Sequence, residues 1–269
     1  MDLFVREMGD GPAILCLHGH PGCSESLAVF GRSLGQKYRV LMPDLRGYGR
    51  SRVRSPFAMA DHIEDLLGVL DRRGIDQCLV LGWSLGGIIA MELALRYPER
   101  VTGLILMATA ARPRGAHPRS SWQEVAFTVI AALVNQVAPG WRWNIETFGR
   151  RSLFKYLIRR QEPSTYRYVA ESAIAAQLRT SSHAQQALTA ALRQGYNRLP
   201  DLQKITQPCW IAAGEYDVHI TAASTRETAE ALPHCDWREY PDVAHLFPWE
   251  IPDQLLTDIH HWLDNTFPR

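Results

Sequence analysis

Gly82-Trp83-Ser84-Leu85-Gly86-Gly87 is the stretch on which the reading of this chain turns. It follows the apolar run CLVLGW (78–83) and opens LGGIIAMELALRY (85–97), which Pro98 stops. A Gly-x-Ser-x-Gly between a strand and a helix makes a tight elbow that strains the serine backbone and lifts its hydroxyl above the sheet. The flanking glycines are required because a Cβ would clash there. The helix N-terminus beneath Ser84 favours developing negative charge.

Working outward from the elbow, short apolar runs bounded by Gly or Pro recur: LFVRE (3–7), AILCLHG (13–19), RVLMPD (39–44), LILMAT (104–109), CWIAAGE (209–215) and DWREYP (236–241). Most lack polar alternation, as strands covered on both faces do. Helical spacing over 59–73, 85–97, 222–232 and 252–264 separates them. Strands alternating with helices through short connections predict an α/β fold with a mostly parallel sheet covered by helices on both faces. Residues 111–200 break the rhythm and predict an inserted cap of four helices, at 120–137, 144–160, 163–179 and 182–195. The core is then 1–110 and 201–269.

Composition agrees with a globular protein. The 269 residues are 46% hydrophobic and 21% charged, with 19 Gly and 16 Pro, which excludes collagen-like, disordered and coiled-coil chains. The formal charge of +1 gives no whole-protein field toward nucleic acid. Five cysteines without a Cys-x-x-Cys pair do not make a disulfide scaffold, and Cys16, Cys78 and Cys209 sit in strand-like runs as buried thiols do. The N-terminus, MDLFVREMGDG, lacks the apolar core of a signal peptide, and no run reaches the roughly 18 apolar residues of a membrane span. The expectation is a soluble cytoplasmic protein with neither a nucleic-acid nor a membrane partner.

A serine hydroxyl needs a base to take its proton and a carboxylate to orient that base. After a strand–elbow serine these should follow in the order acid, then histidine. Asp217 lies in Gly214-Glu215-Tyr216-Asp217, just past the strand CWIAAGE, with Glu215 as its rival. His245 ends Asp242-Val243-Ala244-His245. His18 and His20 precede the serine, His260 and His261 fall inside the last helix, and His219 stands only two residues from Asp217. Backbone donors for an oxyanion are expected from His20, in HGHPG (18–22), and from Leu85. His18-Gly-His20 lacks partners with metal-ligand spacing, and no Gly-x-Gly-x-x-Gly or Walker sequence is present, so no metal or cofactor is expected.

HGHPG (18–22), DLRGYGRS (44–51), GWSLGG (82–87), GEYD (214–217) and DVAH (242–245) resemble, in order and spacing, the motifs of the α/β-hydrolase superfamily, over about residues 3 to 265. The resemblance implies Ser84 as nucleophile, His245 as base, Asp217 as orienting acid and the His20 and Leu85 amides as oxyanion hole. It gives Asp44 and Arg46 scaffold roles. The family usually opens with two antiparallel strands, so the first edge strand is expected to be missing here. Serine at the elbow argues against the epoxide hydrolases and dehalogenases of the superfamily, which use aspartate. What remains is esterase, thioesterase or lactonase chemistry on a small-molecule substrate. Trp before the serine is similar to the carboxylesterases that cleave pimeloyl-carrier-protein methyl ester. A small-ligand receptor or signalling partner on the same fold is the alternative of another class.

The insertion is rich in aromatic residues, readable as a lid over an acyl pocket or as the core a small helical subdomain needs. Trp83, Trp122, Trp141 and Leu246 are the candidates for the substrate pocket. Residues 112–199 carry thirteen Lys and Arg against four Asp and Glu. Arg150, Arg151, Lys155, Arg159 and Arg160 recur on neighbouring turns, either as a solvated face or as a docking face for an acidic partner such as an acyl carrier protein.

Overall fold

Each of the seven apolar runs forms a strand: β1 (Val5–Met8), β2 (Ala13–Leu17), β3 (Arg39–Pro43), β4 (Cys78–Trp83), β5 (Val101–Met107), β6 (Cys209–Gly214) and β7 (Cys235–Tyr240). The structure is a computed structural model that describes residues 1–268, with every side chain among them except those of 172–175. The strands join one sheet in the order β1-β3-β2-β4-β5-β6-β7, parallel throughout except for β1, which runs antiparallel to β3. Among the described residues β1 and β7 are the edge strands.

Helices cover both faces: α1 (Ala28–Leu34), α2 (Asp61–Asp71), α3 (Leu85–Arg96) and, after the insertion between β5 and β6, α9 (Ala222–Ala231), α10 (Phe247–Glu250) and α11 (Pro252–Thr266). Successive strand residues point to opposite faces. Ile14, Cys16, Val40 and Met42 therefore pack with Phe30 of α1 and Ile259 of α11. Leu15, Leu17, Leu41 and Val80 pack on the other side with Leu66 of α2 and Ile89 of α3. Both faces are apolar, which is why these strands show no alternation in the sequence. The chain leaves β2 toward β3 and β4 toward β5, so the connections diverge at the β2–β4 crevice, where open α/β sheets place their ligands.

The insertion carries α4 (Trp122–Val137), α5 (Arg142–Thr147), α6 (Pro163–Tyr168), α7 (Ile174–Leu178) and α8 (Ser182–Arg193). Ser121 starts α4 with a capping box, its hydroxyl taking the Glu124 N–H while the Glu124 carboxylate takes the Ser121 N–H. Two expected helices differ from what the structure holds. The one expected over 144–160 stops at Thr147 and gives way to 3₁₀ turns at 149–151 and 153–156. There is no room for a Cβ at Gly149, which abuts the Tyr166 hydroxyl, and the Ser152 hydroxyl takes the Phe154 N–H and turns the chain. The one expected over 163–179 is divided by a wide π turn at Val169–Ala173.

The sides of α4 are unequal. Ala131 and Asn135 are buried, whereas Trp122, Val125, Val129, Leu133 and Val137 are exposed. Among the described residues no helix is long and apolar enough to cross a membrane. The five cysteines are free, and burial pushes the Cys78 thiol up to about 12.

Candidate active site

Ser84 follows β4 with φ 55° and ψ −116°, a left-handed conformation that costs a residue with a Cβ about 1–3 kcal/mol. Its neighbours make the turn possible. A Cβ on Gly82 would lie 2.4 Å from the Gly86 carbonyl oxygen, and one on Gly86 would lie 2.1 Å from that of Leu17. The helix must approach the sheet this closely to carry Ser84 over its edge, and the Ser84 N–H is held by the Met107 carbonyl at 2.8 Å. Leu85 is the first residue of α3, so its N–H has no acceptor within the helix.

Across the β2–β4 crevice, the HGHPG loop is set by His18. The ring is fully buried. Its Nδ1 lies 2.8 Å from the Gly19 carbonyl, and Nε2 accepts the Leu45 N–H at 3.1 Å, a pairing only the neutral ring can make. Asp44 accepts the N–H groups of Ser24 and Arg50 at 2.6 and 2.8 Å, and Arg46 grips buried Asp65 at 2.6 and 2.7 Å. His20 reaches out of the loop to the Tyr48 hydroxyl at 2.8 Å and to Gln185 of α8 at 2.7 Å.

Burial lowers His18 to about 4, and His62, on the same side of the sheet, also to about 4. Both values lie below the ordinary 6.5, so the unfolded chain binds protons that the folded one refuses as pH falls between these limits. Stability is present above pH 6.5 and is lost toward 4, by up to about 1.4 kcal/mol per pH unit for each ring. Glu250, whose carboxyl burial raises, works in the opposite sense as a single group. Urea unfolding should therefore show a clear loss of stability from pH 7 to pH 5, before ordinary carboxylates titrate. A flat profile there would refute the neutral buried rings.

Asp217 follows β6 and is buried, as is His245 after β7. Asp217 Oδ2 lies 2.7 Å from His245 Nδ1, while Oδ1 accepts the N–H groups of His219 and Ile220 at 2.8 and 3.0 Å. A carboxylate so held fixes the imidazole and leaves its other nitrogen to take a proton. Glu215 instead accepts the Asp242 N–H at 3.0 Å and makes no bond to His245. Ser84, Leu85, His20 and His245 line one cavity of about 560 Å³, walled on the other side by Leu188 and Leu192 of α8. Among the described residues no group of three His, Cys, Asp or Glu could hold a metal ion.

The loop before His245 is tied to the insertion through Glu250. One carboxylate oxygen accepts the Ala244 N–H at 2.8 Å; the other accepts those of Arg159 and Arg160 at 2.8 and 2.5 Å. The Leu246 N–H adds a bond to the Leu157 carbonyl at 2.9 Å.

The family described by the alpha/beta hydrolase fold matches residues 12–252. The chain belongs to the alpha/beta-hydrolase family. Two curated relatives are pimeloyl-[acyl-carrier protein] methyl ester esterases. That of Nitrosospira multiformis is 38% identical over 116 residues, 40% of this chain and 43% of the relative. That of Aeromonas hydrophila is 31% identical over 150 residues, 55% and 56% of the two chains. The match thus spans about half the length of these relatives or less. A thermophilic esterase from Thermogutta terrifontis shares the fold with a TM-score of 0.73 at 24% identity, over 98% of this chain and 93% of that one. The enol-lactonase from Burkholderia xenovorans does so with a TM-score of 0.70 at 23% identity, over 97% and 96%.

In this alpha/beta hydrolase the four pocket candidates do not line the cavity that holds Ser84. Trp122 is 78% exposed and Trp141 50%, because both belong to the outer side of the insertion, where Trp141 pairs with Trp143 at 4.8 Å. Leu246 is buried in the core. Trp83 lies beneath the site: its indole N–H points to the His245 carbonyl at 3.3 Å and its ring packs against Trp249 at 4.6 Å. The basic cluster is also altered, since Arg159 and Arg160 pair with Asp242 and Lys155 with Glu124, which leaves exposed Arg150 and Arg151 without an ion-pair partner among the described residues.

Other lining residues were not among the expected pocket residues: Arg112, His117, Tyr196 and His219. The His219 ring sits 4.9 Å from that of His245 and 4.1 Å from that of His117. Burial, and the two neighbouring imidazoles, lower it to about 3. Nearness to Asp217 in sequence made His219 look redundant. The same nearness holds it in the cavity, because its own N–H is bound by Asp217.

Proposed function

We propose that this alpha/beta hydrolase is a serine hydrolase that cleaves a carboxylic ester, with residues 111–200 forming a cap over the site. His245 takes the Ser84 proton, and the Ser84 oxygen attacks the ester carbonyl. The N–H groups of His20 and Leu85 receive the oxyanion. His245 returns the proton to the leaving alcohol, and water then releases the acid from the acyl-enzyme by the same steps. Asp217 holds the imidazole and stabilises its charged form. The observation that carries this reading is the buried Asp217–His245 bond of 2.7 Å opening on the cavity of a serine held at φ 55°.

A fluorophosphonate probe should label Ser84 alone, and p-nitrophenyl acetate and butyrate should turn over repeatedly. Labelling at another residue would refute the nucleophile. One equivalent of product followed by arrest would favour the receptor reading.

A carrier-linked methyl ester is the finer reading of the substrate, favoured by the names of the curated relatives. Arg150 and Arg151 are the exposed cations of the cluster still free to meet an acidic carrier.

A further inference from the structure

Helix α8 closes the cavity over Ser84 incompletely. It buries only Ala184 and Ala187, small residues that leave its inner side short of the core. Leu188 and Leu192, one turn apart, remain partly exposed, although both line the Ser84 cavity. A second cavity of about 150 Å³ lies behind them, between α8, the start of α2 and the length of α3. It shares Ile88, Leu188, Leu192 and Tyr196 with the first, so the two spaces adjoin at these four side chains. Its remaining wall is Met59, Ala60, Ile63, Ile89 and Ala191.

The far end is closed by charge. Glu92 receives Arg96 at 2.9 Å and Arg198 at 2.6 Å. Burial works against the Glu92 carboxylate, and the two guanidiniums overcome it, holding the group below its usual range. Apolar walls around unfilled space forfeit dispersion contacts that a ligand chain can restore. Ser84 and Glu92 stand eight residues apart along α3, about 12 Å.

We propose that this space is the acyl-chain subsite: an unbranched, medium-length acyl group runs from Ser84 along α3 beneath Leu188 and Leu192 and stops at the Glu92–Arg96–Arg198 cluster. The assignment rests on the esterase reading of Ser84. It makes the substrate an ester of a medium-chain acid whose chain ends inside the protein, discriminated by chain length, in place of the carrier-linked ester, whose acyl chain has to continue out to its carrier.

The test compares kcat/KM for p-nitrophenyl acetate, butyrate, hexanoate, octanoate and palmitate. Each buried methylene is expected to gain about threefold to fourfold, so octanoate should exceed acetate by about tenfold for every two methylenes that enter the slot, with palmitate falling back. Ala191→Trp fills the slot from α8, and Met59→Trp fills it from the opposite wall. In either, the octanoate-to-acetate ratio should collapse toward one. An unchanged ratio in both variants overturns the proposal, and so does a length response confined to the alcohol side in a series of alkyl acetates. Calorimetric binding of decanoate to Ser84→Ala probes the slot without turnover. Binding lost in Ala191→Trp supports the subsite even where fluorophosphonate fails to label Ser84, an outcome that faults the esterase reading alone. Absence of decanoate binding overturns the subsite.

Discussion

Ser84→Ala should lower ester turnover by about 10⁴-fold or more while leaving the fold intact. In the proposed mechanism the removed oxygen is the attacking atom, and no other hydroxyl shares the elbow. Alanine still has to adopt φ 55°, so the strain of the turn persists and stability should change little. His245→Ala should be similarly severe. The proposed mechanism makes the serine and its base one unit, so the double variant should fall no further than the worse single one. Steady-state rates on p-nitrophenyl butyrate, with urea unfolding as the control, decide the matter. Wild-type turnover in folded Ser84→Ala would remove Ser84 from the chemistry.

Asp217→Asn should cost about 10⁴-fold in kcat, since the amide offers an N–H where His245 needs an acceptor. The same change weakens the turn, because Asp217 also receives the N–H groups of His219 and Ile220. Glu215→Gln should cost far less. Its carboxylate meets the Asp242 N–H at the protein surface and has no bond to the imidazole. Comparing the two variants at saturating substrate separates the rivals, and a reversal of their order would assign the acid to Glu215.

The strands and the elbow were legible because their causes are local. A sheet covered on both faces demands uninterrupted apolar runs, and an elbow pressed against a sheet edge demands glycine at 82 and 86. The place of Asp217 beside His245 was legible for a similar reason, since Asp217 lies just past the C-terminal end of a recognisable strand. The cavity wall was not. Leu188 and Leu192 read as one stripe of a helix, and only the return of α8 over the crevice, with Gln185 meeting His20, turns that stripe toward Ser84. Trp83 misled for the converse reason. Beside the serine in sequence, it points away from the cavity, and its partners Trp249 and His245 lie some 160 residues downstream. The helix expected over 144–160 failed at Gly149, where the Tyr166 hydroxyl occupies the place of a Cβ. Residue spacing carries no record of that neighbour.

The Glu250 carboxylate gives the cap a hinge. Backbone groups of residues 159 and 160 are fastened to the loop that carries His245, so this edge cannot swing away without dragging the imidazole from its seat. The opposite edge, α8, rests on two buried alanines and on polar links such as the Ser181 N–H to the Gly47 carbonyl. Any breathing of the insertion is therefore expected at α8, like a door whose pins stand beside His245. Amide hydrogen exchange should be slow at Arg159, Arg160 and Ala244 and fast along α8. On this reading substrate is expected to enter on the side of the proposed chain-binding slot, with the Asp217–His245 pair kept assembled.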